Sequence, residues 1–336
     1  MKSTKVICLG EALVDRLGPI GGDPAVDQHI QDCLGGAPAN VACGLARLGV
    51  DVAFVGCLGT DKIGDQFEDL FISRGVNICG LQRHQTFPSR IVLVKRDLDG
   101  ERTFGGFEGN HQSGFADHAL QIDALKESWC SFASEAKWLV MGTLLLAEEC
   151  SREAVAWACD KALKDGLQIA IDLNWRPTFW NVSFEPDSSP SKGICSLVMT
   201  FLEKATLLKL AKEEAYWFFN TADPDQISKS LPKRPSVIIT DGPNPIRWLL
   251  GNFVGESIAS SPSSIVDTTG AGDSFMSGLI SQLLSYPLNL KNLAQAENSI
   301  RFAAGCGALV CSREGAIDPQ PTYEEVEKFL LSFEQE

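Results

Sequence analysis

Asp267-Thr268-Thr269-Gly270-Ala271-Gly272-Asp273-Ser274-Phe275 runs straight into an apolar helical stretch carrying Met276, Leu279 and Ile280. Glycines without a Cβ let successive backbone N–H groups converge where a helix begins, and there the orphan donors and the macrodipole favour an anion. The segment therefore reads as a cradle for phosphate or an oxyanion. Asp273 stands among those donors, placed to take a proton from an attacking hydroxyl. The same residues also read as a tight turn closed by an acidic helix cap.

A second glycine-led helix start lies far upstream, at Gly35-Gly36-Ala37-Pro38-Ala39-Asn40-Val41-Ala42. Pro38 falls in the first turn and Gly49, just past Leu48, supplies a stop signal. Paired glycines let a ligand approach the backbone, and Asn40 offers both a donor and an acceptor to neighbouring hydroxyls. Alone, it is also an ordinary helix start.

Between and around these motifs, short apolar runs alternate with amphipathic stretches. Lys5–Leu9, Asp51–Cys57, Trp138–Met141, Gln168–Leu173 and Val237–Thr240 read as strands, and Glu148–Lys164 as a helix with Val155, Ala158, Cys159 and Ala162 on one face. That alternation is the pattern of an α/β fold, a sheet covered by helices on both faces. Arg90–Lys95 and Arg102–Phe104 flank the turn-rich Asp97-Leu98-Asp99-Gly100 and read as a β-hairpin. With the Gly/Pro/Asp-rich stretch Gly18–Leu34, the hairpin is expected to form a small lid, built from segments near 11–34 and 88–108, on a single domain spanning 1–336. Asp187–Ser191 and Asn220–Asp225 read as surface loops.

Composition narrows the function. The 336 residues carry a formal net charge of −14, so nucleic acid would meet long-range repulsion and is excluded as a partner. Local amides and one or two cations can still bind a nucleotide. The eleven cysteines are odd in number and contain no C-x-x-C pair, which argues against zinc and against a disulfide framework, and fits a reducing cytoplasm. The longest apolar run, Trp138–Ala147, is too short to span a bilayer, so no membrane role is expected. A Walker A pattern is absent, and the lone G-x-G at Gly270 and Gly272 lacks the third glycine of a dinucleotide fingerprint.

Two further strand ends carry polar groups. Gly10-Glu11-Ala12-Leu13-Val14-Asp15 follows the first strand, so Asp15 is expected at its carboxyl end, where a carboxylate can accept two hydroxyls at once. Asp172-Leu173-Asn174-Trp175-Arg176-Pro177 brings an acid, an amide and a guanidinium to another strand end. Arg176 can fork onto a phosphate and Asn174 can reach a ligand oxygen or order a water. A surface ion pair between Asp172 and Arg176 is the alternative.

Taken together, Gly35–Gly49 and Asp267–Phe275 closely resemble, in order and separation, the two signature motifs of the PfkB or ribokinase-like carbohydrate kinase family. Across nearly the whole chain the resemblance is to bacterial and plant fructokinases, through Gly10–Asp15, Gly59-Thr60-Asp61-Lys62-Ile63-Gly64, Gly100-Glu101-Arg102, Asp172–Trp180, Lys209–Glu214 and Gly315-Ala316-Ile317. It implies a three-layer αβα core with a small β lid and phosphorylation of a primary sugar hydroxyl by ATP. Asp273 would then be the catalytic base, Gly270, Ala271 and Gly272 the anion hole, and Asp15, Gly35, Gly36 and Asn40 the sugar site. Lys209, Glu214, Thr240 and Gly242 would border the ATP phosphates, with Ala304 and Gly307, in the stretch Ala303–Ala308, near adenine. Mg²⁺ would accompany ATP, and Asp267 and Thr269 match two ligands of a monovalent cation such as K⁺.

This chain departs from the family pattern at Ala211, where an Asn or Ser commonly serves a water-mediated route to Mg²⁺, at Pro243-Asn244-Pro245, which stiffens the nucleotide loop, and at Ala304. Ribose, a keto-deoxy sugar acid and a nucleoside are alternative substrates, and a sugar-binding protein without catalysis is a further class. The keto acid would want a lid cation, for which Arg90 or Arg102 is available. The lid hairpin also offers an edge for pairing, which makes a homodimer plausible.

Overall fold

The computed structural model describes residues 3–98, 102–109, 114–259, 262, 264–285 and 290–332. The chain opens on β1 (Val6–Leu9), leaves the core for β2 (Leu13–Ile20) and β3 (Gln31–Gly35), and returns through α1 (Ala37–Arg47) to β4 (Val52–Gly59). Next come α2 (Lys62–Arg74), β5 (Asn77–His84), β6 (Arg90–Arg96), β7 (Arg102–Phe107) and α3 (Ile122–Ala133). β8 (Trp138–Met141), α4 (Glu149–Lys164), β9 (Gln168–Asp172), α5 (Pro177–Trp180), α6 (Lys192–Leu202) and β10 (Leu207–Ala211) continue the alternation. The last third holds α7 (Lys212–Phe219), α8 (Pro224–Ser230), β11 (Ser236–Asp241), β12 (Asn244–Leu250), β13 (Phe253–Ser257), α9 (Ala271–Ser285), α10 (Leu293–Val310) and α11 (Tyr323–Ser332).

Nine strands form one sheet in the order β13-β12-β11-β10-β9-β8-β1-β4-β5. All neighbours from β5 to β11 run parallel, and β12 and β13 add an antiparallel edge. Because side chains alternate along each strand, the central strands feed two separate apolar clusters. Ile7, Leu9, Val55, Leu139 and Ile171 meet α3, α4 and α6 through Trp129, Phe132, Val155, Cys159 and Phe201. Val6, Cys8, Phe54, Val140 and Ile238 meet α1, α2, α9 and α10 through Leu45, Phe67, Met276, Leu279 and Ile300. The expected αβα layering is thus present, with cysteines acting as small hydrophobes.

The lid is a separate sheet ordered β3-β2-β6-β7. β6 and β7 form the expected hairpin, extended to Phe107 past Gly105 and Gly106, which weaken the strand signal in sequence. The turn expected at Asp97–Gly100 lies partly outside the described residues, as does the side chain of Arg102. Asp15 sits inside lid strand β2, paired with Cys33, rather than at the end of β1 as expected; the chain has already crossed to the second sheet at Leu13.

Two expectations are corrected by local chemistry. Asn220–Asp225 is not all loop, because the Asp223 carboxylate accepts from the N–H groups of Asp225 (2.9 Å) and Gln226 (3.3 Å) and starts α8 with Pro224 at its first position. Arg90, expected at the substrate, is instead buried beneath the lid. Its guanidinium donates two bonds to Asp117 (2.7 and 2.8 Å) and lies 5.0, 4.2 and 5.0 Å from the ring centres of Phe107, Phe115 and Phe179. Burial alone would raise the Asp117 carboxyl, but Arg90 and His118 hold it below its usual range. This pair ties the base of β6 to the core. Removing one member strands the other charge, so Arg90→Leu is expected to cost about 3 to 5 kcal/mol in urea unfolding; a loss under about 1 kcal/mol would show that the pair does not anchor the lid.

Candidate active site

A cleft of about 630 Å³ opens between the lid and the carboxyl ends of the parallel strands. Asp15, Gly36, Asn40, Asn174, Arg176, Lys209, Glu214, Thr269, Gly270, Gly272 and Asp273 all line it. Residues separated by more than two hundred positions therefore share one wall.

Two helix starts converge there. In α1, the cleft-facing Asn40 donates its side-chain N–H to Asp273 Oδ2 at 2.7 Å. The Asn40 side-chain oxygen, Oδ1, is buried with no hydrogen-bond partner. A Cβ on Gly35 would stand 3.7 Å from Asp15 Oδ2 and 3.9 Å from Asn40 Oδ1, so this glycine keeps open the space between the two acceptors. Gly36, at φ +100, lies so close to the Glu11 carbonyl that a Cβ would come within 2.7 Å.

In α9, Gly270 adopts φ +79 and turns the chain into the helix against Ala316. The N–H of Ala271 is drawn to the Thr268 carbonyl (3.2 Å), which removes it from the expected anion hole. Gly272 and Asp273 supply the first-turn donors instead. A Cβ on Gly272 would lie 3.2 Å from Lys209 Nζ, so glycine leaves room beside that ammonium.

Charge is concentrated on the same wall. Lys209 pairs with Asp172 at 2.7 Å, both nearly buried, so Asp172 is committed to Lys209 and not to Arg176. Burial alone would lower the lysine, but Asp172, Asp273 and Glu214 hold it above its ordinary value and keep it charged. Arg176 is exposed and donates to the Trp175 carbonyl. Asn174 takes the left-handed region at φ 44. Glu214 accepts from the N–H groups of Trp175 (2.6 Å) and Ala211 (2.7 Å), so it braces the ends of β9 and β10. Burial pushes the Asp273 carboxyl up to about 6, opposed by the Asn40 hydrogen bond, raised further by Asp172, and opposed again by Lys209 and Arg176. Such a carboxylate is ionised at neutral pH yet basic enough to accept a proton.

Sequence reasoning missed Glu11. It is 1% exposed, accepts from the Ala37 N–H at 3.1 Å, lines the cleft, and burial pushes it up to about 8. Its only signal was an acid embedded in the apolar run after β1. Phe104 and Phe179 also face the cleft, and nothing in their spacing announced it.

Other expected residues stand elsewhere. Thr240 pairs with Ala211 across β10 and β11 but does not line the cleft, and Gly242 makes the β11–β12 turn at φ 53. Ala304 is buried in the core, and Gly307 packs its backbone on α9, where a Cβ would meet the Ala271 carbonyl at 3.0 Å. Neither lines the cleft. Asp267 accepts from Thr269 N (3.0 Å), Thr269 Oγ1 (2.7 Å) and Gly315 N (2.9 Å), which pins the loop leading to Gly270. Among the described residues no group of three or more His, Cys, Asp or Glu side chains could hold a metal ion. No helix among them is long and apolar enough to cross a membrane.

A family model described as pfkB family carbohydrate kinase matches residues 3–323. The chain is 30% identical over 98% of its length to a probable chloroplastic fructokinase of Arabidopsis thaliana, covering 83% of that protein. Its structure is similar to that of a Xylella fastidiosa fructokinase with bound ATP (TM-score 0.82, 28% identity, 99% of each chain). It is also similar to a Vibrio cholerae O395 fructokinase in a form bound to fructose, ADP and calcium ion (TM-score 0.78, 27% identity, 97% of this chain and 99% of that one).

The two glycines of the cradle make separable demands. Gly270→Ala meets both a positive φ and the Ala316 backbone, and is expected to lower the melting temperature by several degrees. Gly272→Ala is expected to melt within about two degrees of the parent while losing anion affinity in the cleft. Equal melting temperatures for the two variants would refute this division.

Proposed function

Because the chain belongs to the pfkB family of carbohydrate kinases, we propose that it transfers the γ-phosphoryl group of ATP to a primary hydroxyl of a free sugar, with fructose, giving fructose 6-phosphate, as the favoured substrate. The observation that carries this reading is the unpartnered side-chain oxygen of Asn40, buried in the cleft between Asp15 and Asp273. A buried acceptor without a donor is costly, and a polyhydroxylated ligand supplies donors at that spot. The named activities of the plant and bacterial relatives support the same substrate.

In this mechanism Asp273 Oδ2 is held by Asn40, which leaves its other oxygen to accept the hydroxyl proton. The sugar oxygen bonds to the γ-phosphorus as the bond to the ADP oxygen breaks, and the proton passes to Asp273. Lys209 and the amides of Gly272 and Asp273 face the transferring group and stabilise its charge. The cradle, with glycine where a Cβ would crowd the ammonium, fits the nucleotide's phosphates. With no all-protein cage among the described residues, a divalent cation fits as a companion of those phosphates, held by them and by water. When bound, it neutralises charge on the phosphate oxygens. The Asp267–Thr269 loop, with its buried carboxylate, is the part of the chain suited to a monovalent cation.

Arg90 is committed to Asp117, so it supplies no lid cation for a keto-deoxy sugar acid. The aromatic faces of Phe104 and Phe179 on the cleft favour a nucleoside as the second reading, its base stacked on a ring. Pairing of two copies through the lid belongs to the same proposal, as does a cytoplasmic setting suited to eleven free cysteines.

A panel of sugars and nucleosides with ATP, followed by ADP release, tests the substrate; release highest with a nucleoside would replace fructose. Asp273→Asn is expected to lower kcat by about 10²- to 10⁴-fold with the fold intact. Near-normal turnover in a folded Asp273→Asn would end the assignment. Since the base works deprotonated, kcat is expected to rise with pH through a limb near 6. A rate independent of pH between 5 and 7 would contradict a proton-accepting carboxylate there.

A further inference from the structure

Behind the catalytic wall, α1 and α9 are joined by a polar seam. Gln320 is 1% exposed and comes from the segment after α10, yet its side-chain N–H reaches the Asn40 main-chain carbonyl at 2.8 Å. The Ser277 hydroxyl, also 1% exposed, lies 3.2 Å from the Val41 carbonyl of α1 and 2.9 Å from the Asp273 carbonyl of α9. Gly44 makes room for both: a Cβ there would stand 2.5 Å from Ser277 Oγ and 3.1 Å from Gln320 Oε1. The Gln320 carbonyl oxygen itself is buried and unpartnered. An apolar side chain of similar shape would avoid that cost, so stability does not explain a glutamine at this position.

What the seam does touch is the backbone of the two residues whose side chains meet in the cleft. We propose that Gln320 and Ser277 are positioning residues that fix the relative placement of α1 and α9 so that the Asn40 amide stays bonded to the Asp273 carboxylate. This rests on the reading of Asp273 as the base. The Asn40 bond is one of the influences that hold the Asp273 carboxyl down against burial. Asp172, Lys209 and Arg176 also face Asp273, and Glu11 lies near enough to feel its charge. None of these four is bonded to the seam in the contacts described, so loosening the seam acts through Asn40.

The test uses full-length Gln320→Leu and Ser277→Ala beside the parent, with melting temperature, kcat, KM for ATP and the pH dependence of kcat. Gln320→Leu is expected to melt at the parent's temperature or above, with kcat down by about tenfold, KM for ATP unchanged, and the acid limb moved to higher pH. The sign follows from the bond: without the Asn40 donor the carboxylate loses a stabilising partner, its proton is held more tightly, and more alkaline conditions are needed to free the base. Ser277→Ala is expected to shift the limb in the same direction. A lower melting temperature with kcat and limb unchanged would make the seam structural only and overturn the proposal. An unchanged limb in both variants would overturn it as well. If the parent shows no limb or no turnover with any sugar, the base assignment fails instead, an outcome distinct from failure of the seam.

Discussion

Two helices that start more than two hundred residues apart point into one cleft, and a 2.7 Å hydrogen bond from Asn40 to Asp273 joins their first turns. The mechanism proposed for the cleft depends on that junction. The N-terminus of α9 gathers backbone donors, and α1 presents an amide whose side-chain oxygen is buried and unpartnered. The two helix starts reach the same edge by different routes, α1 after lid strand β3 and α9 after the antiparallel edge strand β13.

Around this junction, charge is held by compensation. Lys209 is buried but kept ionised by Asp172, while Asp273 is raised by burial and restrained by Asn40 and Lys209. The two groups end up with opposite charge at neutral pH on one wall, which suits a reaction that needs a proton acceptor beside an anion-stabilising cation. Glu214 contributes differently, tying the ends of β9 and β10 through the Trp175 and Ala211 amides so that Asn174 and Lys209 keep their places.

The layered core and both glycine-led helix starts were legible from residues alone, since glycine, proline and hydrophobic period act locally. Strands β2, β3, β5, β10, β12 and β13 were not marked as strands. β5 is a half-exposed edge strand of mixed polarity, β10 carries Lys209 inside an apolar run, and β12 begins beside Pro243 and Pro245. Site residues divided the same way. Asp273, Asn40, Gly272 and Lys209 fell where their motifs placed them, because backbone constraints fix those motifs. Arg90 did not, since a buried Asp117 and three phenylalanine rings claim its guanidinium, and partnerships across sequence leave no periodic trace. Ala304 sits in the apolar layer and Gly307 against α9, away from the cleft. Asp15 lines the cleft as expected but from a different element, because crossing to a second sheet two residues earlier, at Leu13, is not written in β propensity.

The lid is stitched from two pieces of chain, β2 with β3 and β6 with β7, and between them lie α1, β4, α2 and β5. The parallel contact of β2 with β6 cannot form by zipping a local hairpin; it must wait until the intervening strands have docked side by side and brought its halves within reach. The two halves of the cover thus depend on the sheet for their meeting, while no strand of the sheet pairs with either of them.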